Sequence, residues 1–308
     1  MNYELGLIIE QGELPNYMLI QGTLMKGYAG FYYVYAEDRV WECSLRGRFR
    51  VKKQDFLPGD KVLILPGVGS RATIEEVLER KNTLARPTIA NVDQAVIVFA
   101  RKTPDPDYNL LDRLIVQVER FKIDLIIVMT KVDLCAKEQD DPILNYYGSL
   151  NYKVLSVSNK TGQGIDEVRN LIKDRVSVLA GPSGVGKSSL INSLEPGQKL
   201  KTAEVSKKIG RGRHTTRHVE LMSVAGGLVA DTPGFSSLYL PEMKREELQN
   251  YFREFAEYKI ECRYRNCLHD KEPDCRVKEA VASKAILQSR YEHYLQFLRE
   301  VIANEQRY

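Results

Sequence analysis

Apolar positions change their spacing twice along this 308-residue chain. Between residues 19 and 78 they form short runs suited to strands: Leu19–Met25, Phe31–Ala36, Val40–Leu45, Lys61–Leu65 and Thr73–Leu78. Turn formers separate them, as at Lys26-Gly27, Glu37-Asp38 and Pro58-Gly59-Asp60. Short strands packed this closely predict a small β-barrel, and the OB-fold is the commonest of that size. Within this region Arg46, Arg48, Arg50 and Lys52 alternate with Gly47, Phe49 and Val51. If extended, the segment turns all four cations to one face. Such a face is either a solvated edge guarded by charge or a surface for a nucleic-acid backbone.

From residue 91 the runs become continuous. Ala95–Ala100 and Leu125–Met129 read as buried parallel strands. Between them Leu110, Leu111, Leu114, Ile115, Val118 and Phe121 mark one stripe of a helix. Further strands are expected at Val154-Leu155, Val176–Ala180 and Leu228–Ala230, and a helix at Asp166–Lys173. Strand alternating with helix predicts a doubly wound α/β domain. After Pro241 the spacing turns helical, at Leu248, Tyr251, Phe252 and Phe255, and again at Tyr291, Tyr294, Leu295, Leu298 and Ile302. The expected domains are 1–78, a barrel; 79–240, an α/β domain; and 241–308, a helical region.

Composition narrows the class. With 43% hydrophobic and 28% charged residues, the chain is globular rather than disordered. No apolar run reaches the ~18 residues of a membrane span. Met1-Asn2-Tyr3-Glu4 lacks a basic segment leading into an apolar one, so the expected compartment is the cytoplasm, with no membrane partner. The net charge of +4 is uninformative as a total, but Lys199 to His218 holds seven cations against one acid, Glu204. A cluster of that kind suits an anionic partner.

Three of the five cysteines, with one histidine, form a C-x4-C-x-H-x5-C array: Cys262, Cys267, His269 and Cys275. Three thiolates and an imidazole match tetrahedral Zn²⁺, and a closed set of four ligands is structural. The isolated Cys43 and Cys135 add no redox motif. His293 reads as a surface residue of an amphipathic helix and His218 as the start of a strand.

The sharpest signal is Gly181-Pro182-Ser183-Gly184-Val185-Gly186-Lys187-Ser188, followed by Ser189. It matches G-x-x-x-x-G-K-[ST], follows an apolar strand and precedes a helical stretch, Ser189–Leu194. Its glycines let backbone N–H groups wrap phosphates, and the helix N-terminus adds partial positive charge. Lys187 would reach the β/γ-phosphates and the Ser188 hydroxyl would ligate Mg²⁺. Thr130-Lys131-Val132-Asp133 lies at a strand end, where an N/T-K-x-D segment reads guanine. A carboxylate there accepts from the two donors of the guanine edge, which adenine lacks. Thr130 stands where Asn is usual. Ser158-Asn159-Lys160 is similar to an S-A-K segment, with Asn159 in place of Ala, and Asp231-Thr232-Pro233-Gly234 to the Mg²⁺-side D-x-x-G. Each segment follows a strand, where an α/β sheet binds ligands.

The order is permuted. The base-reading segments precede the phosphate loop, and both phosphate-side segments run on toward residues 241–308. Together with Gly210-Arg-Gly-Arg-His-Thr-Thr216, Asp231–Phe235 and the cysteine cluster, the chain resembles the RsgA family of bacterial small ribosomal subunit biogenesis GTPases over essentially its whole length. The resemblance implies a circularly permuted P-loop G domain, an N-terminal OB-fold β-barrel and a C-terminal helical zinc-binding domain. It implies GTP hydrolysis stimulated by the small (30S) ribosomal subunit, a role late in that subunit's assembly, one structural Zn²⁺, Mg²⁺ with GTP, and a monomer. Lys199–His218 would then be the first switch, with Thr215 or Thr216 ligating Mg²⁺. Its Lys207, Lys208, Arg211, Arg213 and Arg217 are either solvated or meet ribosomal RNA. His214 beside them either orients the attacking water or contacts RNA. Intact Lys187, Ser188 and Asp231 disfavour an RNA-binding module with negligible turnover, and Asp133 disfavours an ATP-using kinase.

Overall fold

The computed structural model describes residues 18–28, 30–47, 49, 55–85, 88–135, 141–195, 219–231 and 240–306; of Asp231 only the backbone is described. They fall into two compact units, divided between Arg80 and Lys81.

The first unit is a closed barrel of β1 (Ile20–Tyr28), β2 (Phe31–Ala36), β3 (Arg39–Leu45), β4 (Lys61–Pro66) and β5 (Arg71–Val77), in the order β1-β2-β3-β5-β4. All pairs are antiparallel except β3 with β5, which run parallel. Alternate residues point inward, so Leu24, Val34, Trp41, Cys43, Val62, Ile64 and Ile74 fill the interior. A Cβ at Gly22 would stand 2.4 Å from Val34, so the barrel wall closes only over glycine there. Buried Asp60 ties the end of the barrel, accepting from Arg80 Nε and Nη2 at 2.6 and 2.9 Å and from the Leu57 N–H at 2.8 Å.

Strand β3 ends at Leu45, before the cationic stretch. Gly47 and Phe49 are helical, and the Phe49 N–H donates to the Arg46 carbonyl at 3.0 Å. Phe49 packs edge-on against Phe56. Exposed Arg46 pairs with Glu75; Arg48, Arg50 and Lys52 lie outside the described residues.

The second unit begins with a small hairpin, β6 (Thr83–Ala85) and β7 (Thr88–Ala90), that the apolar pattern did not mark. Its sheet contains β8 (Gln94–Ala100), β9 (Asp124–Thr130), β10 (Lys153–Ser156), β11 (Val176–Ala180), β12 (Leu221–Val224) and β13 (Gly227–Asp231), in the order β10-β9-β8-β11-β13-β12. Only the β12–β13 pair is antiparallel. Every residue of β8 and β11 is buried, as helices on both faces of a parallel sheet require. Helix α1 (Tyr108–Phe121) links β8 to β9, starting on an Asp107 side chain that accepts from the Leu110 N–H. Helices α2 (Pro142–Ser149), α3 (Ile165–Ile172) and α4 (Lys187–Leu194) follow β9, β10 and β11.

The C-terminal segment packs into the same unit. Leu248, Phe252 and Phe255 are buried as their spacing predicts. Their backbone, however, is a broken series: α5 (Arg245–Leu248), a 3-10 turn at Gln249–Tyr251, another at Arg253–Phe255, then α6 (Ala256–Lys259). The break falls at Phe252, whose backbone is extended. It lets Phe252 stack on Phe255 beneath Tyr294, while Arg253 turns outward to Glu119 and the Leu150 and Asn151 carbonyls. Helix α7 (Arg276–Ala282) precedes α8 (Gln288–Glu305), whose buried face is Arg290, Tyr294, Phe297, Leu298 and Val301. Tyr294 and Leu298 of the expected stripe are fully buried, and Tyr291, Leu295 and Ile302 pack half-buried against the same cluster.

Candidate functional site

Three of the sequence segments, and the backbone of Asp231 that begins the fourth, lie at the carboxyl edge of the six-stranded sheet. The phosphate loop leaves β11, central in the strand order, and Gly186 caps α4 in a left-handed conformation (φ 98°). Gly181 has φ 137°, and a Cβ there would lie 2.1 Å from the Val98 carbonyl oxygen. Only glycine brings the loop this close to β8. Val185 anchors the loop in the core. The Lys187 ammonium donates to the Gly181 and Pro182 carbonyls at 2.8 Å each, which stations its charge over the loop. Ser188 and Ser189 occupy the first turn of α4, where unpaired N–H groups and the helix dipole favour an anion.

Beside the loop lies a cavity of about 210 Å³ lined by Lys131, Asp133, Leu134, Asn159, Lys160, Gly186 and Ser189. The exposed Asp133 carboxylate is oriented by buried Ser158, whose Oγ donates to Asp133 Oδ1 at 2.6 Å and accepts from the Thr161 N–H at 3.2 Å. One carboxylate oxygen is thereby fixed and the group is aimed, which a ligand with paired N–H donors requires.

Three consecutive carbonyls of the phosphate loop face base-side chains. Lys131 Nζ donates to Gly184 O at 2.7 Å and also to Thr103 O. The Thr130 hydroxyl lies against Val185 O and is 3.1 Å from Phe99 O. Asn159 Nδ2 is 3.5 Å from Gly186 O. Carbonyls drawn toward the base side leave the loop's N–H groups turned the other way, which is the arrangement an anion needs. Thr130, where the sequence pattern leads one to expect Asn, is fully buried and keeps the link from β9 to the loop through its hydroxyl.

Asp231 ends β13, and its backbone stands beside Leu179 of β11, so it starts the segment flanking the phosphate loop. Lys207, Lys208, Arg211, Arg213, His214, Thr215, Thr216, Arg217, His218, Gly234 and Phe235 lie outside the described residues.

The metal-type residues converge. The donor atoms of Cys262, Cys267, His269 and Cys275 all lie within 4.8 Å of one another. His269 Nδ1 is 3.3 Å from Cys275 Sγ and 3.6 Å from Cys262 Sγ, and the two sulfurs are 3.9 Å apart. A tetrahedral Zn²⁺ with bonds of about 2.3 Å to sulfur sets its ligands about 3.8 Å apart, so the residues fit the ion. His269 Nε2 meets Gln249 Oε1 at 2.9 Å, which assigns the proton to Nε2 and leaves Nδ1 for the metal. Burial lowers the His269 pKa to about 4, so the ring is neutral as a ligand must be. Burial pushes the Cys267 thiol up to about 12, a cost that a bound cation reverses by stabilising the thiolate. The loop is held from outside: Tyr291 and Tyr294 hydroxyls donate to the His269 and Leu268 carbonyls at 2.7 and 2.8 Å, and Glu272 accepts from the Leu268 and Asp270 N–H groups at 2.8 and 3.0 Å. Gln249 carried no sequence signal, since it lies 20 residues from His269 in no recognisable spacing.

His293 is half-buried rather than fully at the surface. Its Nδ1 lies 2.6 Å from Asp112 Oδ2, in a cluster where Arg290 joins Asp112 of α1 to Glu254.

Comparison with known proteins agrees with this geometry. A model described as RsgA GTPase matches residues 77–241 and one described as RsgA N-terminal domain matches residues 21–74. The small ribosomal subunit biogenesis GTPase RsgA of Moorella thermoacetica is 51% identical, over 93% of this chain and 99% of its own. The Geobacillus kaustophilus protein of the same name is 47% identical, over 94% and 100%. Among solved structures, YloQ, titled a circularly permuted GTPase, superposes with a TM-score of 0.77 at 37% identity, covering 95% of this chain and 99% of its own. YjeQ from Thermotoga maritima gives 0.76 at 35% identity, over 92% and 99%.

Proposed function

The chain belongs to the RsgA family and is a GTP-hydrolysing enzyme, and we propose that it acts late in assembly of the small (30S) ribosomal subunit, which stimulates its turnover. The observation that carries this reading is the Ser158-aimed Asp133 carboxylate, set in one cavity with the start of α4 on a permuted sheet. Asp133 accepts from the guanine N1–H and N2–H₂ groups, and the backbone N–H of Asn159 faces guanine O6. Phosphate-loop N–H groups from Gly184 to Ser189 and the Lys187 ammonium bind the phosphates. Ser188, Asp231 and either Thr215 or Thr216 would hold the Mg²⁺, which supplies neutralising charge on the β/γ-phosphates. Gly234 belongs to the same phosphate-side segment.

His214 either orients the attacking water or contacts RNA. The cysteine cluster holds one structural zinc and builds the C-terminal core. Arg46, Arg48, Arg50 and Lys52, with Lys207, Lys208, Arg211 and Arg213, meet ribosomal RNA phosphates. The protein works as a monomer in the cytoplasm, and among the described residues no helix is long and apolar enough to cross a membrane.

The decisive experiment measures phosphate release from GTP and from ATP, each with and without purified 30S subunits. GTP-selective turnover that rises with subunits is expected. Equal rates on ATP, or turnover indifferent to subunits, would overturn the proposal.

A further inference from the structure

Asn159 stands where the related guanine-reading segment has Ala, and its amide is poorly satisfied. Among the described residues its one polar side-chain contact is Nδ2 to Gly186 O, at the long distance of 3.5 Å. Its Oδ1 is buried with no partner among the described residues. A buried carbonyl without a donor is a cost that an alanine would avoid, so the amide's presence calls for a compensating interaction. The opposite assignment of O and N would set two carbonyl oxygens face to face at Gly186, which fixes Nδ2 on that side.

The surroundings identify the interaction. A Cβ built on Gly186 would lie 3.4 Å from Asn159 Nδ2 and 3.7 Å from Thr130 Oγ1, so both base-side loops close on the same residue of the phosphate loop. Gly186 is the cap of α4, and its own carbonyl accepts the Leu190 N–H at 2.8 Å. A second donor on that carbonyl braces the first turn of α4, the turn that carries Lys187 and Ser188. Hydrogen bonds at such sites are often long without ligand and shorten in the complex.

We propose that Asn159 is a positioning residue for nucleotide binding: its amide clamps the guanine-side loop to the Gly186 carbonyl at the head of α4 and so holds the turn that grips the phosphates. The clamp acts through Gly186 and does not read the base. The inference rests on the GTP-site reading above.

The test compares ligands that differ only in phosphate. GDP and guanosine affinities are measured by competition against a fluorescent guanine nucleotide for the parent, Asn159→Ala and Asn159→Asp. Asn159→Ala should weaken GDP about three- to tenfold, the value of one net hydrogen bond, and leave guanosine unchanged. Asn159→Asp keeps the shape but sets a carboxylate against the Gly186 carbonyl, and should weaken GDP more than Asn159→Ala does. Equal losses for GDP and guanosine would make Asn159 a base contact and overturn the clamp. Unchanged GDP affinity in both variants would also overturn it. Failure of the parent to bind guanine ligands at all would instead remove the reading on which the clamp rests.

Discussion

At the scale of single residues, the site works by giving each polar side chain one geometric task. Asp133 is the plainest case. Ser158 occupies one of its oxygens and leaves the carboxylate pointed at a cavity that also touches α4. Sites that pair two buried or aimed hydrogen bonds discriminate strongly, because the wrong base leaves them unmatched. Asp133→Asn should therefore weaken GTP binding at least about tenfold and favour xanthosine triphosphate, whose C2 carbonyl accepts from the new amide. A competition assay in which GTP, xanthosine triphosphate and ATP keep the parental ranking would remove Asp133 from base recognition. Asp133, Lys187 and the four metal-type residues were legible in the sequence because their chemistry is carried by side-chain type at fixed spacing. The actions of Thr130, Lys131 and Gln249 were not. Each works on a partner brought close only by the fold: the Val185 carbonyl, the Gly184 carbonyl and the His269 ring. A Thr hydroxyl can hold a carbonyl as an Asn amide can, so a departure from a motif at the level of residue type leaves this anchor of the phosphate loop in place.

At the scale of elements, the burial of α1 explains what the hydrophobic pattern read and what it missed. The stripe Leu111, Leu114, Ile115 and Val118 is buried, but so are Asp112, Arg113 and Val116 on the face that looked polar. That face is covered by the C-terminal segment: Arg113 lies over the Phe297 ring at 4.5 Å, and Asp112 meets Arg290 and His293 of α8 and Tyr147 of α2. Arg290 also grips Glu254 at 2.6 and 2.9 Å. Burial alone pushes the Arg290 pKa down, but Asp112 and Glu254 outweigh it and raise the pKa well above its ordinary value. Removing the cation leaves two buried carboxylates facing one another, so Arg290→Met should cost about 3–5 kcal/mol. Urea unfolding checks this, and a loss below about 1 kcal/mol would mean the cluster behaves like an exposed pair. The cysteine–histidine cluster, whose geometry fits zinc, belongs to the same segment, since Cys267 and Cys275 share one apolar cluster with Phe252, Phe255 and Tyr294. Metal-ligand energy in such sites is folding energy. Cys267→Ser should lose about one equivalent of zinc by elemental analysis and lower the melting temperature, whereas a zinc-free parent whose melting is indifferent to chelators would refute the site.

At the scale of the whole molecule, the permuted order decides where the chain goes after the phosphates. Beyond β13 it re-enters the described structure at Leu240, whose N–H donates to Glu300 of α8 at 3.1 Å; the same carboxylate holds Arg113 of α1. The chain at Leu240 is thus anchored on the C-terminal helix. The catalytic residues themselves leave a gap. Many GTPases orient the attacking water with a Gln just after D-x-x-G, but here that position is Phe235, whose ring has no hydrogen-bonding group. The orienting group must come from elsewhere, and His214 adjoins Thr215 and Thr216 in the segment expected to reach the γ-phosphate. An imidazole there can accept a proton from the water, and positioned acid–base groups contribute about 10²–10⁴-fold. If the subunit brings this segment over the nucleotide, the isolated enzyme is slow and the bound one fast, as in other segment-closing switches. His214→Ala, measured under saturating GTP and saturating subunits, should then lose turnover by about a hundredfold or more while subunit affinity stays within about twofold, a change worth under 0.5 kcal/mol at ~0.6 kcal/mol per RT unit. Weakened subunit binding with full turnover at saturation would make His214 an RNA contact instead, and the water would have to be held by a group that only the subunit supplies.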